Sequence, residues 1–127
     1  LFGAGMAGEL PVDAIDHSAA HPASVAHGLT PEYGHYVVYM AGCTDCHGPS
    51  LNGVAPSGGG PPAAVPPPDL TLKGEVGQWT VEQFVNTIRT GITPSGHQLD
   101  SEMPWEFYKG MTDEDLQAVY TYLHTLN

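Results

Sequence analysis

Apolar residues recur at helical spacing in three stretches of the chain. Tyr33, Tyr36, Val37 and Met40 fall at i, i+3, i+4 and i+7, the spacing that lines one face of an α-helix. Val81, Phe84, Val85 and Ile88 repeat it, and so do Leu116, Val119, Tyr120 and Leu123. Each stretch follows a start signal. Thr30-Pro31-Glu32 reads as an N-cap, a first-turn proline and a first-turn acid. Thr80 caps the second stretch. Thr112-Asp113-Glu114-Asp115 reads as a capping box with acids on a helix N-terminus. The pattern predicts helices from 30 to about 42, from 81 to 90 and from 113 to about 126, the second ended by Gly91. No stretch alternates with period two, so nothing argues for a sheet. The expected fold class is all-α, with three main helices and long loops.

One of those loops stands out. Residues 48 to 68 are so rich in Pro and Gly that no regular element survives there. The whole chain carries 16 Gly and 12 Pro among 127 residues, and only 13% of it is charged. A domain of this size and composition buries limited apolar surface, so something is expected to supplement its core. Fourteen acids against three basic residues give a formal charge of −11. That excludes nucleic acid as a partner, because a phosphate backbone demands Lys and Arg. It also argues against an anionic membrane surface. No run of 18 apolar residues occurs, so no segment of the chain reads as a bilayer span.

The two cysteines lie in Cys43-Thr44-Asp45-Cys46-His47. A thioredoxin-like CxxC needs a βαβ context, which the flanks do not offer. A structural zinc site needs a second ligand pair; no second CxxC exists, although other His residues remain available. A disulfide would close a very small loop and stabilise little. The fourth reading is CxxCH, the attachment site of c-type haem. Each thiol adds to one vinyl group of the porphyrin, and two intervening residues let both sulfurs reach one edge of the ring. The adjacent imidazole then sits beneath the iron as an axial ligand.

A low-spin electron carrier needs a sixth ligand. Met40 shares the first helix and reads as core. Met6 sits in a Gly-rich tail, and Met111 reads as a staple against the last helix. Met103 precedes Pro104, which biases it towards an extended backbone that presents the thioether to a pocket. It follows His47 by 56 residues, enough chain to wrap the opposite haem face. Among the other histidines, His17 and His21 have the i, i+4 spacing of a metal pair but lie in what reads as a solvated tail. His27 lies in the same extension. His97 reads as a surface residue near the Met103 loop, and His35 and His124 as packing or surface residues on helices. A backbone carbonyl near Pro68 is expected to accept the Nδ1 proton of His47, fixing the ring.

Over about residues 30 to 127 the chain resembles the class I c-type cytochromes. The resemblance rests on Tyr36-Val37-Val38 leading into Ala41-Gly42 and the CxxCH, then on Pro68-Asp69-Leu70-Thr71. It continues through Trp79, Phe84, Arg89-Thr90-Gly91, Met103-Pro104-Trp105 and Met111-Thr112-Asp113-Glu114-Asp115-Leu116. It is similar above all to the monohaem modules of cytochrome subunits in membrane-bound dehydrogenases and oxidases. The resemblance implies the small cytochrome c fold and one covalent haem c. It implies cofactor contacts at Cys43, Cys46, His47, Met103, Pro68 and Leu70, with His47 and Met103 on the iron. It also implies that the first and last helices cross at aromatic residues, for which Tyr36 and Tyr120 or Tyr122 are the matching candidates. Residues 1–29 have no counterpart in it.

The resemblance further implies an extracytoplasmic setting, where haem c is attached. The chain starts Leu1-Phe2-Gly3 with no basic region ahead of it, so a removed signal peptide or anchor is expected, or else the chain was cut to begin there. Residues 1–29 are expected to be a tether, or a segment that packs over the domain or docks a partner. The expected function is one-electron transfer between respiratory or photosynthetic redox partners, with no turnover of a substrate. A partner with a positively charged rim suits the acidic surface. The competing readings are a haem enzyme or gas sensor with a labile sixth ligand, and a docking module in which haem only staples the core.

Overall fold

The computed structural model describes residues 16–20, 23–54 and 66–127 of the chain. Among these residues five α-helices follow one another: α1 (Pro31–Met40), α2 (Cys43–His47), α3 (Val81–Thr90), α4 (Trp105–Tyr108) and α5 (Asp113–Leu123). A 3-10 turn, Glu75–Gln78, precedes α3. Among the described residues there is no strand, only one isolated bridge between Ile92 and Gln98. The fold class is all-α as expected.

The three main helices start where their caps place them. Thr30 accepts from the Tyr33 N–H at 3.2 Å, and Thr80 and Gln83 close a reciprocal capping box. Thr112 accepts from the Asp115 N–H at 3.1 Å. That third cap is only half of the expected box: the Asp115 carboxylate takes the Tyr33 hydroxyl at 2.8 Å instead. The cap therefore doubles as a tie between α1 and α5.

Those two helices cross at a glycine. A Cβ on Gly34 would lie 2.0 Å from the Ala118 carbonyl oxygen and 2.7 Å from the Tyr122 Cβ. Glycine inside a helix costs about 0.5–1 kcal/mol relative to alanine; here it permits backbone contact. This crossing turns α1 relative to its expected face. Gly34, Val37 and Val38 are buried, whereas Tyr36 is 46% and Met40 70% exposed. Met40 is therefore not core. Tyr36, about half exposed, stacks on Tyr33, with ring centroids 6.1 Å apart. Tyr122 lies at the crossing, with the His35 ring 5.0 Å away, while Tyr120 donates to the Trp79 carbonyl at 2.8 Å. Ala118, fully buried against Gly34, was the missing partner.

The remaining core follows the predicted stripes. Phe84 and Ile88 of α3 pack with Leu116, Val119 and Leu123 of α5 and with Val37 and Val38 of α1. Val76 and Leu51 complete it from the loops. Thr87 is buried among them because its hydroxyl donates to the Gln83 carbonyl at 2.8 Å.

Part of the N-terminal extension touches this frame. His27 Nδ1 lies 3.3 Å from Glu114 Oε1, and its ring packs 4.5 Å from that of Tyr33. His17 is exposed, and its spacing partner His21, like Met6, lies outside the described residues.

Candidate functional site

The first helix does not run on into the cysteines. Gly42 adopts φ 73, ψ 21, a left-handed conformation that stops α1 and restarts the chain as the one-turn helix α2. Only Ala41 and Gly42 separate the two helices, too few to interrupt the periodicity, so the break is visible only in Gly42 itself. On α2, Cys43 is half-buried, Cys46 exposed and His47 buried, and both cysteines are free thiols. Burial pushes the Cys43 thiol up to about 11, so it stays protonated at neutral pH.

His47 is held from behind. Its Nδ1 lies 3.0 Å from the Pro68 carbonyl oxygen. A carbonyl only accepts, so Nδ1 carries the proton and the lone pair resides on Nε2. Nε2 has no hydrogen-bond partner among the described residues. Burial lowers the imidazole's proton affinity, with the Pro68 carbonyl partly opposing, which favours the neutral ring. A neutral imidazole with an unengaged Nε2, beside two free thiols on the same turn of helix, is the donor set that a c-type haem requires.

The Pro68 carbonyl is aimed by a residue outside the motif. Leu51, 1% exposed, has φ 55, a rare conformation for a non-glycine residue. Its carbonyl accepts from the Leu70 N–H at 2.8 Å, and the Gly53 N–H donates to the His47 carbonyl at 2.9 Å. Leu51 thus joins the start of the Pro/Gly loop to its end, two residues from Pro68. Leu70 packs half-buried against the core. The middle of that loop, 55–65, lies outside the described residues. Nothing in the periodicity singles out Leu51, one of three large aliphatic residues, with Val54 and Val65, in the Pro/Gly-rich loop.

Met103 is also half-buried against the core cluster. It sits just ahead of α4, a turn of helix not expected from the sequence. Tyr108 at the end of α4 donates to the Ala41 carbonyl at 2.7 Å, linking the Met103 segment to the residue two before Cys43. Met111 is half-buried against the same core, and its N–H donates to the Tyr108 carbonyl at 2.9 Å. His97 is exposed in the preceding turn. Of the three basic side chains, Arg89 pairs with Asp113 at 2.6 Å, and Lys109 sits over the Trp105 ring at 5.9 Å. Lys73, the third, is exposed beside Asp69.

Comparison with known proteins agrees with this geometry. The family model described as Cytochrome c matches residues 32–127. The chain is 34% identical over 110 residues, 82% of its length, to the fructose dehydrogenase cytochrome subunit of Gluconobacter japonicus, of which that match covers 22%. It is 32% identical over 70% of its length to the gluconate 2-dehydrogenase cytochrome c subunit of Pantoea cypripedii, covering 21% of it. It is 27% identical over 92% of its length to the alcohol dehydrogenase (quinone) cytochrome c subunit of Gluconobacter oxydans (strain 621H), covering 25% of that protein. The chain therefore spans about a fifth to a quarter of these relatives. Its helices, its CxxCH and this match over three-quarters of its length agree: the chain belongs to the cytochrome c family, as an electron-transfer domain rather than a catalyst in its own right.

Proposed function

We propose that this domain carries one haem c, attached through Cys43 and Cys46 and ligated by His47 and Met103, and that it passes single electrons between a dehydrogenase and a further redox protein. The observation that carries the reading is the buried His47, its Nδ1 on the Pro68 carbonyl and its Nε2 unengaged, next to a free thiol. A haem c held there supplies a ferric/ferrous couple that exchanges one electron at a time. The protein's part is to hold the imidazole by the Pro68 carbonyl and to offer a soft thioether from Met103. Such a thioether favours ferrous iron and raises the potential. Apolar cover from the core disfavours the extra positive charge of the ferric state, which acts in the same direction.

The relatives are cytochrome subunits of fructose, gluconate and alcohol dehydrogenases. We take the electron source to be a dehydrogenase of that kind. The domain comprises residues 30–127, and residues 1–29 are a tether whose last residues are fastened by His27. Its setting is outside the cytoplasm, at the membrane's outer face or in the periplasm. None of the described residues forms a helix long and apolar enough to cross a membrane. The formal charge of −11 steers a partner with a positive rim, so association slows as salt rises.

The test is the visible spectrum of the reduced protein before and after carbon monoxide. An unchanged spectrum is expected, because both axial positions are held. A shifted Soret band would instead mean an open sixth position and move the haem enzyme or gas sensor reading to the front.

A further inference from the structure

The loop from α3 to α4 leaves and returns at one residue. Gly91 ends α3 with φ 71, ψ 14, and it is buried. Its carbonyl accepts from the Leu99 N–H at 2.7 Å and from Gln98 Nε2 at 2.9 Å. The residues between close on themselves. The Thr93 N–H donates to the His97 carbonyl at 2.9 Å, and the His97 N–H returns to Thr93 Oγ1 at 3.1 Å.

Trp105 sits on the same glycine. A Cβ at position 91 would lie 2.5 Å from Trp105 Cε2 and 2.6 Å from Cζ2. Backbone conformation and space both require glycine there. The other end of α4 is tied to α3 as well, because Arg89 donates to the Lys109 carbonyl and to Asp113 Oδ1. A four-residue helix cannot hold itself, so these contacts decide where α4 lies.

Met103 is coupled to Trp105 by a stiff link. The Trp105 N–H donates to the Met103 carbonyl at 2.8 Å, and Pro104 between them has φ −79, ψ 47. This is an inverse γ-turn, with the proline ring fixing φ. The Met103 N–H donates back to the Asp100 carbonyl at 3.0 Å. A shift of the indole is therefore passed on to Met103 rather than absorbed between them.

We propose that Trp105 is a positioning residue: seated on Gly91 and coupled through the Pro104 turn, its indole holds the Met103 thioether in place as the second axial ligand. The inference rests on the His47/Met103 reading above. If Trp105 only filled space, its removal would lower stability and leave the ligand spectrum unmoved.

The experiment compares Trp105→Leu and Gly91→Ala with Met103→Ala in the haem-bearing protein. The readouts are the weak red absorption of a ferric haem with a thioether ligand, carbon monoxide uptake by the ferrous form, and far-UV circular dichroism. The expected result is that all three variants lose the red band and take up carbon monoxide, with helix content retained in W105L and G91A. Trp105→Phe, which keeps a ring on Gly91, is expected to recover most of the band. If M103A loses the band while folded W105L keeps it and stays inert to carbon monoxide, the positioning role is overturned and the ligand assignment survives. If M103A keeps the band, the ligand assignment fails and the inference fails with it. Should W105L not fold, G91A decides on the same readouts: a retained band overturns the proposal.

Discussion

The two sides of the candidate site are built differently. His47 lies within a five-residue helix, follows the second cysteine directly and needs one long-range bond, to the Pro68 carbonyl. Met103 lies in a loop whose position depends on α3, through Gly91 and Arg89, and on the segment before Cys43, through Tyr108. One side is set by neighbours in sequence, the other by neighbours in space. The His47 side should therefore tolerate perturbation of the loops around Met103, and the Met103 side should fail first. Both depend on the α1–α5 crossing, which frames the site without lining it.

The largest effect is expected at that frame. Gly34→Val pushes side-chain atoms into the Ala118 carbonyl and should cost about 3 kcal/mol, lowering the thermal midpoint and releasing both sides together. A variant that loosened only one side would contradict the common frame. Next comes Leu51→Ala, which leaves a hole at a residue 1% exposed. It should cost about 2–3 kcal/mol by denaturant unfolding and speed exchange of the His47 Nδ1 proton, while carbon monoxide still fails to displace the sixth ligand. If L51A admitted carbon monoxide as readily as M103A, the two sides would not be separable.

Arg89→Gln should act on the other side alone. The Asp113 carboxylate it pairs with is largely exposed, so the loss is expected near 0.5–1 kcal/mol after allowing for solvent screening, with a small rise in carbon monoxide uptake and no change at His47. The smallest effect belongs to Tyr33→Phe, which removes a tie in the frame. Burial opposes ionisation of Asp115, but the hydroxyls of Tyr33 and Thr112, with His27 nearby, outweigh it and hold the carboxyl below its ordinary value. A depressed carboxylate stabilises the fold above its ordinary pKa of 3.8 and loses that contribution as pH falls through the lower folded value. Y33F should therefore cost about 0.5 kcal/mol at neutral pH, a difference that shrinks on acidification below about pH 4. A difference that grew there would mean the hydrogen bond is not to the ionised form.

How much of this was legible follows from the range of each interaction. Caps act within a turn, so Thr30, Thr80 and Thr112 marked the three main helices, and α3 has its expected bounds. The stripe on α1 differs from its buried face because periodicity gives a helix an apolar side without saying which neighbour it meets. Tyr36 and Met40 are apolar enough to join the stripe, yet Gly34 decides the contact because only a residue without a Cβ lets two backbones approach. The single-turn helices α2 and α4 carry too few residues to show a period, and α4 exists only because α3 anchors both of its ends.

By itself the sequence determined the helical class, the start of each main helix and the chemistry on offer: two thiols and an imidazole at a spacing that suits a c-type haem. These depend on contacts between residues close along the chain. Only the tertiary structure decided which face of α1 is buried, which carbonyl orients His47 and what surrounds Met103. Those depend on backbone meeting backbone at Gly34 and on a ring seated against Gly91, and glycines that permit such approaches leave no apolar pattern to read.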